Sequence, residues 1–423
     1  MTAQIGILNK RAIVLATDSA VTIQNGQSGK KIYNSVNKLF ALSKIKPIAV
    51  MIYGNAELLG APWETMIKVY RKQFKGDYKK LDDYANNFMK WLEEEAKRLF
   101  SSKIQQQYFQ SSVGSFYHSV ILSAIKKEMQ KMLDDKGTID EKVIVKFSKD
   151  KINEIHKVLK SKNFINNFDQ KYSDYLIKKH EKDINKIVDE FFSKLSLSTP
   201  FKKKLREIAC YLFTKDIFSG HYSGVVIAGF GDDELYPSLV EFQIEGVFEN
   251  RIKYKRENVR DIQCDGCTAR IVPFAQDDVI HNFLLGIHPA NIEYFDEILK
   301  KYPSTIADNI GKFPKKKKDA LKKKIEKKNK EIFDKFLAET HKQFSDPIIS
   351  MVGLMPITEM CDFAESLINL TSLRKKVTMQ DETVGGETEV ISITKGEGLI
   401  WIKRKHYFDP KLNPGFVNNY LNI

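Results

Sequence analysis

Cysteine is scarce in this sequence and long apolar runs are missing, and both absences exclude whole classes of protein. The cysteines among the 423 residues are Cys210, Cys264, Cys267 and Cys361. These are too few for a disulfide framework, which favours a reducing compartment over secretion. No run of about 18 apolar residues occurs, so we expect no membrane span and no membrane partner. The N-terminal residues lack the pattern of a secretory signal peptide, and we therefore predict a cytoplasmic protein.

Histidine is also sparse, which argues against a metal centre. The 8 His residues are scattered along the chain. Cys264 and Cys267 form a single C-x-x-C, but a structural zinc site needs a second pair of ligands. A redox role for the same pair would need a thioredoxin-like context, which the sequence lacks. We therefore expect neither a metal nor a cofactor.

Acidic residues are outnumbered by basic ones, which raises the question of an acidic partner. The chain has 68 Lys and Arg against 54 Asp and Glu, a formal net charge of +14. The lysines are densest between Lys312 and Lys330, where Leu321 and Ile325 keep the spacing of a helical apolar stripe. Aromatic residues that stack on bases are missing there. A solvated helix face is therefore preferred over a nucleic-acid site, which is kept as the alternative.

Strand and helix patterns occur in long blocks along the chain. Runs rich in β-branched residues predict a β-meander that ends at Gly54, and the texture from about 56 to 215 is helical. Strands return in GVVIAGF and LVEFQIEGVF, helices follow, and TEVISITKGEGLIWIKRK predicts a final hairpin. Blocks of one type favour segregated layers over alternating βαβ units, so we predict an α+β protein.

Thr2 opens the first strand, in the stretch MTAQIGILNKRAIVLATDSAVTI. Thr is common in strands, and this interpretation requires no chemistry. At the start of a mature chain, however, Thr carries both a hydroxyl nucleophile and an α-amine that can act as its base. An α-amine has a pKa of about 8, so a usable fraction is neutral at physiological pH. This design requires removal of Met1, which a small second residue permits.

An isolated acidic residue, Asp18, lies in the apolar run that follows. A buried carboxylate is costly unless a cation pairs with it, and a lysine such as Lys38 would resolve that cost. The same cation would lower the pKa of the Thr2 hydroxyl. A structural ion pair with no catalytic role is the other interpretation of Asp18.

This stretch resembles the start of a mature proteasome β-type subunit, a member of the N-terminal-nucleophile hydrolase superfamily. The residues that carry the resemblance are Thr2, Gly6, Ile13, Val14, Leu15, Ala16, Thr17, Asp18 and Ser19, which match the family pattern without a gap. The resemblance implies that Thr2 is the nucleophile, Asp18 the buried acid, and a lysine before a short apolar strand the cation. Lys38, in Asn-Lys-Leu-Phe, fits that form best, and Lys30 and Lys31 are the alternatives.

The resemblance also implies the rest of the site. PIAVMIYGNAEL places Gly54 where the family has the glycine whose N–H binds the oxyanion. Asp381, which precedes a Gly-Gly pair, matches a second catalytic-site acid of the family. The family has a Ser directly before this pair, where the chain has Val384. It has another Ser near the position of PFAQDDVIHNFL, where Gln276 or Asp277 would substitute.

The fold implied by the resemblance is a four-layer αββα sandwich of antiparallel sheets with large helical insertions. The core would comprise residues 1–75, 216–290 and 346–423, the last range including a tail. A helical, lysine-rich insertion would occupy 76–215, and a second, basic helical insertion 291–345.

The implied activity is that of a proteasome-like threonine endopeptidase, which hydrolyses amide bonds of polypeptides without a cofactor. Because relatives assemble into rings, the resemblance also raises a homo-oligomer or a regulatory protein partner. Two alternatives stay open. The same fold could serve an amidase that acts on a small amide. It could also be a catalytically inactive, proteasome-like scaffold whose basic helices bind a protein or nucleic acid.

Overall fold

A computed structural model describes residues 2–24, 30–138, 140–165, 168–195, 197–257, 259–263, 266–309, 314–378, 384–406, 408–415 and 418. The strands, in chain order, are β1 (Gln4–Asn9), β2 (Ala12–Thr17), β3 (Val21–Gln24), β4 (Lys30–Tyr33), β5 (Leu39–Ala41), β6 (Ile48–Gly54), β7 (Glu57–Leu58), β8 (Ala61–Pro62), β9 (Ser223–Gly229), β10 (Ser238–Phe248), β11 (Arg251–Arg256), β12 (Arg260–Asp261), β13 (Ala269–Pro273), β14 (Glu389–Thr394) and β15 (Gly398–Lys403).

The α-helices, in chain order, are α1 (Trp63–Gln73), α2 (Leu81–Leu99), α3 (Ser102–Phe116), α4 (Ser123–Lys136), α5 (Glu141–Ser161), α6 (Gln170–Lys179), α7 (Glu181–Phe192), α8 (Thr199–Thr214), α9 (Asp278–Leu285), α10 (Pro289–Asn309), α11 (Lys315–Thr340), α12 (Asp346–Leu354) and α13 (Ile357–Val377). Two π-helical segments, Tyr117–Leu122 and His341–Ser345, and a 3-10 turn, Pro410–Leu412, complete the regular structure of the described residues. The predicted α+β class is confirmed, and so is the final hairpin, which is β14 and β15.

Two antiparallel sheets contain most of the strands. One is five-stranded, in the order β13-β1-β2-β14-β15, and the other runs β11-β10-β9-β6-β5 with β12 paired to β10. The meander predicted up to Gly54 is therefore wrong as a single sheet, because β1 and β2 lie in one sheet and β5 and β6 in the other. Between Asp18 and Lys38 the chain passes from the first of these sheets to the second. Local pattern identified the strands but not their partners, which depend on the packing of both faces.

The two sheets pack against each other through a shared apolar core. This core takes Leu8, Ile13 and Leu15 from the first sheet and Met51 and Val226 from the second. Every residue of β1, β2 and β9 is buried. Strands that are covered on both faces read as continuous apolar runs, which explains the texture of these segments.

Helices cover the outer face of each sheet. On one side α1 and α2 bury Trp63 and Phe88 in a cluster with Val50 of β6. On the other side α13 buries Met360 in a cluster with Ile5 of β1. Apolar residues recur at helical spacing between 81 and 99, which is typical of an amphipathic helix, and α2 spans that range.

Helices α9 and α12 join α13 over the first sheet, and the remaining helices form two groups outside the sheets. Helices α3 to α8 enclose a separate apolar core that includes Phe109, Tyr117 and Leu205. Helices α10 and α11 pair with each other, and the rings of Phe295 and Phe336 meet with centroids 5.3 Å apart. Of the helices in the described ranges, none is long and apolar enough to cross a membrane.

Candidate active site

The start of β1, the turn after β2 and the residue before β5 meet at one buried point. Lys38 Nζ donates hydrogen bonds to Thr2 Oγ1 at 3.0 Å and to Asp18 Oδ1 at 2.7 Å. The exposed fractions of Thr2, Asp18 and Lys38 are 5%, 1% and 4%. The structure therefore brings together the three residues for which the sequence predicts the roles of nucleophile, acid and cation.

The surroundings of Lys38 suit an ammonium group. An ammonium has three N–H donors and no acceptor. The carbonyl oxygen of Ala20, at 2.6 Å, is the third acceptor beside Thr2 and Asp18. Burial lowers the pKa of Lys38, and the charge of the Asp18 carboxylate opposes that shift. The ammonium is thus fully hydrogen-bonded, yet it loses its proton more easily than a lysine in water.

Asp18 holds the segment next to Thr2 as well as Lys38. Its Oδ1 accepts a bond from the backbone N–H of Ala3 at 3.1 Å, and its own N–H donates to the Ala3 carbonyl at 3.1 Å. Its Oδ2 accepts from the N–H groups of Ala20 at 3.2 Å and Gly385 at 3.1 Å. These donors offset the desolvation of a buried carboxylate. Since Ala3 follows Thr2, the acid also holds the end of the strand that presents the hydroxyl.

Gly54 is the last residue of β6 and lines a cleft that Thr2 and Lys38 also line. The cleft has a volume of about 120 Å³, and Val36 and Phe40 provide part of its apolar wall. Gly54 has a φ of +74°, in the left-handed region that glycine adopts at no steric cost. The glycine required by this turn thus borders the same cleft as Thr2.

Replacing Gly54 by Ala should destabilise the protein more than the same change at Gly60. Both glycines have positive φ, +74° and +84°, so each alanine should cost about 1–2 kcal/mol. At Gly54 the added Cβ would lie 2.3 Å from the Tyr222 carbonyl oxygen, whereas at Gly60 nothing lies within 4 Å. We expect the free energy of unfolding to fall by about 2–4 kcal/mol in Gly54→Ala, measured by urea denaturation. Equal losses in the two variants would contradict the steric part of this argument.

Gln4 joins the two sheets beneath the site, a role that sequence reasoning missed. Its Nε2 donates to the carbonyl of Ile52 at 2.7 Å and to Thr17 Oγ1 at 3.1 Å. Gln4 is fully buried. Because Gln4 is close to Thr2 in the chain and Ile52 is close to Gly54, this bond fixes the start of β1 relative to the end of β6. The available signal was an amide residue inside an otherwise apolar strand.

A second buried ion pair, Glu389–Lys405, lies beside the first and was also missed. Lys405 Nζ is 3.3 Å from Glu389 Oε2. It also donates to Ser19 Oγ at 2.5 Å and to the Val36 carbonyl at 2.6 Å. No local pattern marks either residue, since Glu389 begins a strand and Lys405 belongs to a basic segment after one.

Val384, Gln276 and Asp277, the positions at which the chain departs from the family pattern, are described by contacts other than with Thr2. Val384 is buried in the apolar cluster beneath α13. Asp277 is exposed, and its carboxylate lies 3.4 Å from His281 Nδ1. Gln276 has a φ of +56° and follows Phe274, whose N–H donates to the Gln4 carbonyl at 2.9 Å. The turn that carries Gln276 therefore starts beside β1.

Some sequence predictions fall on residues outside the described ranges. Asp381 is one, and Cys264 of the C-x-x-C pair is another. The side chain of Lys30 also lies outside them, whereas Lys31 is exposed, with its Nζ 5.1 Å from the centroid of the Tyr33 ring. Within the described ranges, no three His, Cys, Asp or Glu side chains are grouped so that they could hold a metal ion.

A scan against models of protein families found no match, and a search of curated proteins found none either. The resemblance to the N-terminal-nucleophile hydrolases therefore rests on the sequence motif.

Proposed function

We propose that the protein is a proteasome-like threonine peptidase that cleaves amide bonds of polypeptides through Thr2. The observation that carries the proposal is the hydrogen bond from Lys38 Nζ to Thr2 Oγ1, at 3.0 Å, with Asp18 Oδ1 2.7 Å from the same nitrogen. A structural ion pair would need only the lysine and the aspartate. Here the third partner is a hydroxyl that borders a cleft, where a substrate carbonyl can approach it.

The packing of the sheets supports the four-layer αββα architecture that the resemblance implies. Helices α1 and α2 lie on one sheet, the two sheets face each other, and α13 lies on the other sheet. We infer that this sandwich is the catalytic core. The separate apolar core of α3 to α8 and the pair α10–α11 are the parts added to it.

The proposed reaction begins with removal of Met1, which frees the α-amine of Thr2. That amine takes the hydroxyl proton while Oγ1 attacks the carbonyl carbon of the scissile amide. The electrons of the C=O π bond move to oxygen, and the N–H of Gly54 binds the resulting oxyanion. The ammonium of Lys38 stabilises the negative charge that develops on Oγ1, and Asp18 holds this ammonium in place.

Collapse of the tetrahedral intermediate breaks the C–N bond of the substrate. The protonated α-amine of Thr2 gives its proton to the leaving amine, and the acyl group stays on Oγ1 as an ester. The same amine then deprotonates a water molecule that attacks the ester. The carboxylic acid leaves and the Thr2 hydroxyl is restored. Only protons and electron pairs move between Thr2, substrate and water, so the sequence of steps balances without a cofactor.

The proposal is tested by intact-mass measurement before and after treatment with a peptide epoxyketone. This reagent forms its ring adduct only with a residue that has both a hydroxyl and a free α-amine. We expect a mass that lacks Met1, a single adduct that maps to Thr2, and loss of cleavage of fluorogenic peptide amides after labelling.

Two other results would replace the proposal. A full-length mass with Met1 retained and no adduct would reject an N-terminal nucleophile and favour the inactive scaffold. An adduct on Thr2 in a protein that hydrolyses small amides but no peptide would keep the mechanism and replace the peptidase with an amidase.

A further inference from the structure

Lys405 ties together the two segments that carry Asp18 and Lys38. Its Nζ donates to Ser19 Oγ at 2.5 Å and to the Val36 carbonyl at 2.6 Å. Ser19 follows the acid in the chain, and Val36 lies just before the catalytic lysine. The N–H of Val36 also donates to the Ser19 carbonyl at 3.2 Å. Lys405 therefore reinforces a backbone bond between these two segments, which the pairing of β3 with β4 also joins.

We propose that Lys405, paired with Glu389, is a positioning residue that sets where Lys38 lies relative to Thr2. The inference rests on the proposed function of Thr2 and adds a part of the chain that the resemblance to the family does not supply. Lys405 comes from the segment after β15, far in sequence from the nucleophile. Its role is exerted through Lys38, since its own bonds go to Ser19, Val36 and Glu389.

The buried carboxylate of Glu389 requires a cation at position 405. It pairs with Thr17 in the register of β14 and β2, directly before Asp18. The side chains of Lys405 and Glu389 are 9% and 2% exposed. Burying one of these charges without the other is strongly unfavourable. The three oxygens around Lys405 Nζ, like those around Lys38, match the three donors of an ammonium.

The pair also acts on Lys38 through its charges. Burial lowers the pKa of Lys38, Asp18 raises it, and among the smaller contributions the charge of Lys405 lowers it and that of Glu389 raises it. Lys405 in turn faces Glu389, Asp18 and Glu387. Since Lys38 acts as an ammonium in the proposed reaction, activity should fall as the pH rises through the pKa of Lys38. Removing the charge of Lys405 should raise that pKa and move the alkaline limb to higher pH.

The test compares Lys405→Met with the double variant Lys405→Met/Glu389→Gln and with Lys403→Met as a matched control. Lys403 lies two residues away and pairs with Glu365 at 2.6 Å, but its side chain is 52% exposed. The double variant removes the unpaired buried carboxylate, so it keeps the test valid if the single variant folds poorly. The readouts are the rate of Thr2 labelling by the epoxyketone, the pH profile of kcat/KM for a peptide amide, and a crystal structure of the double variant.

We expect kcat/KM to fall by about 10- to 100-fold in the Lys405 variants, because a small displacement of a catalytic group is costly. In Lys405→Met the alkaline limb should move to higher pH, and Lys403→Met should match the wild type in both respects. A loss of stability alone would not shift the pH profile.

Several results would overturn the inference. Wild-type rates in the folded Lys405 variants, with an unshifted alkaline limb in Lys405→Met, would reject it while leaving the proposed function intact. If the wild type itself is not labelled, the proposed function fails. The crystal structure then still decides whether Lys38 Nζ keeps its 3.0 Å contact with Thr2 Oγ1 when Lys405 is absent, and an unchanged contact rejects the positioning role.

Discussion

The Thr2→Ala variant is expected to show no epoxyketone adduct and to lose cleavage of peptide amides by about 10⁴-fold or more, since loss of the nucleophile removes the covalent path. Alanine is small enough for Met1 removal to continue, so the α-amine should still be exposed. Only one of the three oxygens around Lys38 is lost. We therefore expect the free energy of unfolding to change by only about 1 kcal/mol, measured by urea denaturation.

Thr2→Ser is the matched control for this variant. It keeps the hydroxyl, the α-amine and the acceptor for Lys38, and loses only a methyl group from the cleft wall. Labelling and cleavage should therefore persist in Thr2→Ser and be absent from Thr2→Ala. Cleavage that survives in Thr2→Ala with purified protein would show that another residue is the nucleophile.

Lys38→Met is expected to lower kcat/KM by about 10²- to 10³-fold, the usual effect of removing one preorganised electrostatic contact from a reacting centre. The substitution also leaves the carboxylate of Asp18 buried without its cation. The free energy of unfolding should therefore fall by about 3–5 kcal/mol. Because the ammonium is the form that acts, the variant should also lose the alkaline limb that reports deprotonation of Lys38, whose pKa burial lowers.

Lys253→Met separates the loss of chemistry from the loss of stability. Lys253 is another buried lysine, paired with Glu245 in the second sheet, with side chains 5% and 8% exposed. Burial lowers the pKa of Lys253 as it does that of Lys38. We expect a similar destabilisation but unchanged Thr2 labelling at a temperature where the protein is folded. Equal loss of labelling in both variants would show that Lys38 acts through stability alone.

Much of the candidate site could be predicted, because its residues belong to a sequence motif in which each residue type has a chemical role. Thr2 and Asp18 belong to one gap-free stretch, and a buried carboxylate requires a cation. The sequence left Lys30 and Lys31 as alternatives to Lys38, because they lie close to it in the chain. Which lysine contacts Thr2 Oγ1 depends on the three-dimensional fold, and in the structure this lysine is Lys38.

The parts that were missed depend on contacts between distant segments. Gln4 reaches Ile52 in the opposite sheet, and Lys405 reaches Ser19 and Glu389 from near the end of the described chain. The division of the supposed meander between two sheets is an error of the same kind. A strand pattern shows that a segment is buried, but not which strand lies beside it.

The sequence by itself determined the local elements, the alternation of strand and helix blocks, and the candidate catalytic residues near the N-terminus. These follow from side-chain periodicity and from the cost of an unpaired charge in an apolar segment, both of which are local properties. Only the tertiary structure decided which lysine contacts Thr2 and that a second buried ion pair lies beside it. Such choices depend on how two sheets pack, because hydrogen bonds and charge pairs form only where separate segments come within about 3 Å of each other.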